Sequence, residues 1–224
     1  MTVSWRPEGA SATRRGHLRL VRNDVSSLLA HDLKTPLAAI AMNLDFALGE
    51  LGPDASASVR GALEDCRESN HQAVGIVSDM VDAIQLASGQ RRAQLAPVDA
   101  QARLSGAVRR IAADAAARGV RLVWAAEPTT IQGDSDLLDR ALDRLFERAL
   151  RYARAGGTIE ATLKLGDIAI RVAVPDGVVG VPDSEATAQS LATHFADAAM
   201  SAQGGAVRTE ADASGALVFV VSLP

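Results

Sequence analysis

HDLKTPLAAIAMNLDFALGEL, residues 31–51, decides how the rest of the chain is read. Leu33, Leu37, Ile40, Leu44, Leu48 and Leu51 step by 4, 3, 4, 4 and 3, the spacing of one face of an α-helix. His31 lies about 200° around that helix from Leu33 and points to water. Thr35 comes one turn later on the same face as His31, and Asp32 stands beside the imidazole. Pro36 removes one backbone hydrogen bond and frees a carbonyl near Asp32, so it can bend the helix there. A solvent-facing imidazole beside a carboxylate is a good nucleophile. The carboxylate takes or orients the proton on one ring nitrogen while the other attacks phosphorus. His17, His71 and His194 lack this setting and read as ordinary histidines.

Downstream, Gly52 and Pro53 break the helix, and Asp54 or Ser56 can cap the next one. Val59, Leu63, Cys66, Asn70, Ala73, Val77, Met80 and Ile84 then alternate steps of 4 and 3, a heptad-like seam with one polar member. Two helices joined by a short turn pack antiparallel. One hairpin cannot bury two such stripes by itself, so the economical solution is a twofold pair of hairpins, a dimeric four-helix bundle. Asn70 either fixes the register of the bundle or is a capped or surface-facing side chain.

SGQRRAQLAP, residues 88–97, is polar, charged and ends in proline, and reads as a linker. Beyond it the pattern changes. A helix is expected over 100–118 and a strand over 120–127. A second helix is expected over 134–154, with Asp134 or Ser135 as its cap. GTIEATLKL and IAIRVAV form two strands joined at Gly166-Asp167. A helix over 184–203 closes at Gly204-Gly205, and AVRTEA and ALVFVVSL finish the chain as strands around Ser214-Gly215. The sum is an α+β chain in three parts. These are a flexible tail (1–17), a helical hairpin (18–88) and an α/β sandwich with a largely antiparallel sheet (97–224).

The bulk properties narrow the function. The net charge of −4 gives no general attraction to nucleic acid or anionic lipid. Aromatic residues make up 3 % of the chain, too few for base-stacking platforms. The one cysteine, Cys66, cannot form an intrachain disulfide, which fits a reducing compartment. No apolar run approaches the ~18–20 residues that span a bilayer. The expectation is a soluble cytoplasmic protein.

HDLKTPL resembles the H-box of bacterial sensor histidine kinases, whose dimerisation and phosphotransfer hairpin carries His-Asp/Glu-x-x-Thr/Asn-Pro. The resemblance implies His31 as phospho-acceptor, Asp32 as its acid/base neighbour and Thr35 as the residue that positions water during dephosphorylation of a partner. It also implies response-regulator receiver domains as partners. These are expected beside His31 on the face that carries Thr35, Ala38, Met42 and Asp45, with Lys34 adjacent. The second part resembles that family's ATP-binding sandwich, and here the chain departs from the pattern. Arg144 and Arg148 stand where the family's N-box carries the asparagines that ligate Mg²⁺. A guanidinium has no acceptor atom and cannot replace them. In VPDGVVGVP, Asp176 and Gly180 match the next loop and could keep part of an adenine pocket. Val178, however, replaces a glycine that lets the backbone approach a nucleotide. The later glycine-rich loop is missing, since no glycine lies between Gly180 and Gly204. Arg140, Arg144 and Arg148 form a basic stripe, interleaved with Asp136, Asp139, Asp143 and Glu147, so a salt-bridged face is the simpler reading.

The whole chain resembles dimeric histidine phosphotransferases, which pair a kinase-like hairpin with a degenerate ATP-binding-like domain. The expected function is a phosphorelay step through His31 without ATP, with no bound cofactor and with Mg²⁺ supplied by the receiver. An upstream hybrid histidine kinase is the expected donor. An autophosphorylating kinase with an unusual ATP site and a non-catalytic pseudokinase or phosphatase that regulates a receiver are the alternatives.

Overall fold

A computed structural model describes residues 32–52, 54–164, 166–173 and 191–223. The chain divides into two compact units, Met1–Ser88 and Gly89–Pro224. Among the described residues, no helix is long and apolar enough to cross a membrane.

In the first unit, α1 is helical over 32–50 and α2 runs over Ala57–Ser88. Ser56 caps α2, its Oγ accepting a hydrogen bond from the Val59 amide at 3.2 Å. The helices are antiparallel, since Leu37 of α1 meets Asn70 of α2 while the later Asp45 meets the earlier Arg67. Asn70 is 6 % exposed and its Nδ2 donates to the Leu37 carbonyl at 3.1 Å. It is therefore a hydrogen-bonded register pin within the hairpin, not a surface residue.

The expected seam is only partly covered. Leu33, Ile40 and Val59 remain between 44 and 49 % exposed, Cys66 is exposed, and Ile76, outside the expected seam, is 43 % exposed. The residues that α2 buries are Asn70, Asp79, Ala83 and Leu86. Two antiparallel helices share one contact face, so a second stripe stays open.

The second unit is built in the order β1 (Ala96–Asp99), α3 (Ala100–Ala117), β2 (Arg121–Ala126), β3 (Thr130–Gly133) and α4 (Ser135–Tyr152). It continues with β4 (Thr158–Lys164), β5 (Asp167–Ala173), α5 (Leu191–Ser201), β6 (Ala206–Ala211) and β7 (Leu217–Ser222). The main sheet has strand order β2-β4-β5-β7-β6, parallel between β2 and β4 and antiparallel elsewhere. Its register aligns Ala161, Ile170 and Phe219 in one row and Leu163, Ile168 and Val221 in another. All six are buried, together with Leu104, Leu142, Leu145, Phe146 and Phe195 of the helices. Period-2 alternation puts Glu160 and Arg171 on the other face, where they stand opposite each other.

The expected linker needs correction. Ala96 and Pro97 belong to β1 rather than to a linker, and β1 pairs with β3, a strand the sequence reading missed. Both are four residues long and exist through their pairing, so neither has enough alternation to announce itself. Pro97 is tolerated because β1 is an edge strand. Of the helix expected over 184–203, residues 184–190 lie outside the described residues, and α5 is described from Leu191 to Ser201. Gly204, at φ 90°, ends it in the left-handed conformation that glycine adopts freely.

Candidate functional site

His31 lies outside the described residues, as do Asp176, Val178 and Gly180. The remaining H-box residues, Asp32 and Thr35, are exposed on α1. Lys34, Ala38, Met42 and Asp45 are exposed as well. The structure adds Phe46, which the sequence reading passed over. Met42 and Phe46 are 73 and 69 % exposed and sit four residues apart, one above the other on the helix. The signal was present: an aromatic outside the Leu33–Leu51 stripe has no place in the hairpin's own contact face.

On the second unit, α4 begins at Asp134. Its Oδ1 accepts from the amides of Asp136 and Leu137, and its Oδ2 accepts from the Gln94 amide at 2.9 Å. The Asp134 amide donates to Gln203 Oε1 at 2.6 Å, and Gln203 Nε2 donates to the Ala199 carbonyl. The start of α4 is thus tied to the segment before β1 and to the end of α5, fixing where its side chains project.

The arginine stripe of α4 is largely neutralised. Arg140 pairs with Asp136 at 3.7 Å and lies 4.6 Å over the Phe195 ring. Arg144 meets both carboxylate oxygens of Glu147, at 2.8 and 3.0 Å. Arg148 donates to the Tyr152 hydroxyl at 2.9 Å, with its guanidinium 5.2 Å from the ring centroid. The acids between them face α3: Asp139 takes Arg103 at 2.9 Å, and Asp143 takes Arg110 at 2.8 Å. Burial pushes the Asp143 carboxyl above its ordinary value, and the Arg110 hydrogen bond opposes that shift. The salt-bridged reading of this face holds. It is an interhelical network rather than a basic stripe.

This donor set does not fit a divalent cation. Arg144 and Arg148 present N–H groups only, and the Tyr152 hydroxyl beside Arg148 accepts from it. Among the described residues, no group of three or more His, Cys, Asp or Glu side chains could hold a metal ion.

Residues 21–89 match the His Kinase A phospho-acceptor domain. This is a bacterial histidine kinase-like protein. The histidine kinase-like chain is 27 % identical over 173 residues to the signal transduction histidine-protein kinase BaeS of Escherichia coli K12, covering 74 % of this chain and 35 % of BaeS. It is 30 % identical over 173 residues to the sensor protein DivL of Caulobacter vibrioides, covering 73 % of this chain and 21 % of DivL. It therefore spans well under half the length of these relatives. The Acinetobacter baumannii histidine kinase AdeS superposes with a TM-score of 0.59 at 15 % identity, over 86 % of this chain and 96 % of that one. Full-length ShkA, in complex with AMPPNP, superposes with a TM-score of 0.63 at 21 % identity, over 88 % of this chain and 45 % of ShkA. The fold of this histidine kinase-like chain is thus a helical hairpin followed by an ATPase-like α/β sheet.

Proposed function

We propose that this protein carries phosphate between receiver domains through His31 without using ATP. One ring nitrogen of His31 forms a P–N bond as the P–O bond to a receiver's aspartate breaks, and the aspartate leaves as carboxylate. Asp32 orients or takes the proton on the other ring nitrogen. The return transfer to a second receiver reverses these bonds. Thr35 orients water when the receiver is dephosphorylated instead, and the receiver brings its own Mg²⁺. The observation that carries the reading is a contrast between two stretches. HDLKTPL keeps every diagnostic H-box position, whereas Arg144 and Arg148 put cations where a metal-dependent nucleotide site needs acceptors.

Receivers dock on the α1 face of Lys34, Thr35, Ala38, Met42 and Asp45, and Phe46 extends its apolar part. The protein acts as a cytoplasmic homodimer through residues ~18–88, and an upstream hybrid kinase supplies phosphate. The open stripe of Leu33, Ile40, Val59 and Ile76 supports the dimer.

The test is to mix wild-type protein with a phosphorylated receiver and follow the label. Wild type should become an acid-labile, base-stable phosphoprotein, and His31→Ala should not. Labelled His31→Ala would end this assignment. A second reading, a kinase with an atypical ATP site, is favoured by the kinase names of the relatives. Labelling by radioactive ATP alone would select it. Calorimetry without heat up to millimolar Mg-ATP is the outcome the phosphotransfer reading expects.

A further inference from the structure

The main sheet has two edges, and they are defended differently. β6 carries Arg208 and Glu210 in mid-strand, the kind of charge that discourages pairing with another chain. β2 reads Arg-Leu-Val-Trp-Ala-Ala and is followed by Glu127, so Leu122–Ala126 hold no charge, proline or glycine. Val123 and Trp124 are 49 and 48 % exposed. The bonds from the Arg121 amide to Gly157 and from the Glu127 amide to Leu163 show that the odd-numbered residues pair with β4. Leu122, Trp124 and Ala126 therefore turn their amides and carbonyls outward. One of these outward groups is used: the Ala126 carbonyl accepts from Gln101 Nε2 at 3.2 Å.

We propose that this edge pairs with β2 of a second copy of the chain, antiparallel and centred on Trp124. The sequence is self-complementary in that register alone. Trp124 faces the partner's Trp124, Leu122 faces the partner's Ala126, and Val123 faces the partner's Ala125. Arg121 faces the partner's Glu127, and by the twofold the same ion pair forms again at the other end. Among the described residues, neither Arg121 nor Glu127 makes an ion pair within its own chain. The outward residues Leu122, Trp124 and Ala126 all fall on hydrogen-bonded pairs, with facing Cα atoms ~5.5 Å apart. Side chains of facing residues share a side of the sheet. The two indoles thus meet as a cross-strand aromatic pair on the helix-bearing side, and the charges meet on the open side. A shift of register by two residues would break both ion pairs and separate the tryptophans. The inference stands apart from the phosphotransfer reading, because it uses no residue of the H-box.

Hydrogen exchange of the full-length chain tests it. The peptide covering 121–127 is compared among wild type, Glu127→Arg and the double variant Arg121→Glu with Glu127→Arg. Glu127→Arg puts like charges opposite each other twice and should speed exchange in that peptide by about tenfold, with β6 unchanged. The double variant restores two opposite-charge pairs in reversed order and should restore slow exchange. Identical exchange in wild type and Glu127→Arg would overturn the proposal. Faster exchange that the double variant fails to restore would also overturn it, since a different segment would then lie on the edge.

Discussion

α2 is 32 residues long and buries four of them, while α4 is 18 residues long and buries eight. The longer helix is the less finished one. α4 has a sheet beneath it and α3 and α5 beside it, so its Leu137, Leu142, Leu145 and Phe146 meet apolar neighbours within one chain. α2 is placed by its antiparallel neighbour, and its exposed Val59 and Ile76 wait for another surface. The difference teaches where each unit's stability resides: in the sandwich it is internal, and in the hairpin much of it depends on what covers the open stripe.

The largest expected effect lies in the sandwich. Phe146→Ala should cost about 3–5 kcal/mol in denaturant unfolding, because a fully buried ring leaves a cavity that the sheet cannot fill. A loss under about 1 kcal/mol would mean that this core is not self-sufficient. Met42→Arg comes next: it should weaken receiver binding by about 1–3 kcal/mol in a titration and leave the unfolding midpoint alone. Unchanged affinity would remove Met42 from the docking face. Asp134→Ala should cost about 1–2 kcal/mol, since the helix loses its cap, and Asp134→Asn should keep most of that. Equal losses in both variants would show that charge rather than capping holds α4.

The smallest effect is electrostatic. Ser214 hydrogen bonds, and then Arg171, hold the Asp212 carboxyl well below the usual carboxylate range. Its unfolded value is about 3.9. The stability it contributes is therefore fully present above that pH and is lost as pH falls towards the folded-state value. Asp212→Asn should lower stability modestly at neutral pH and flatten the acid limb, so that variant and wild type converge as pH falls. An acid limb as steep as wild type would assign the acid loss to other carboxylates.

Much of this was readable from residue order. The helical stripe of α1, the Asp134 cap and the hairpin between β4 and β5 are local signals, written in periods of 3.6 and 2 and in turn residues. The seam of α2 leaves Cys66 and Val59 exposed within one chain, because periodicity says that a face is apolar and not what covers it. β1 and β3 escaped notice because pairing between distant segments creates them. In the candidate site, the sequence named Arg144 and Arg148 but not their partners. Glu147 and Tyr152 take them by helical neighbourhood, whereas Arg103 and Arg110 reach Asp139 and Asp143 from another helix.

The bond from Asn70 to the Leu37 carbonyl limits how the hairpin can move. Sliding α2 along α1 by one residue means ~1.5 Å of travel and ~100° of rotation. That is enough to carry a short amide off its acceptor and leave it dry, at a cost of about 1–3 kcal/mol. Bending or tilting the two helices together costs no such bond. The hairpin therefore behaves as a ratchet with a single tooth: the pair can lean as one piece, but the helices cannot creep past each other a residue at a time.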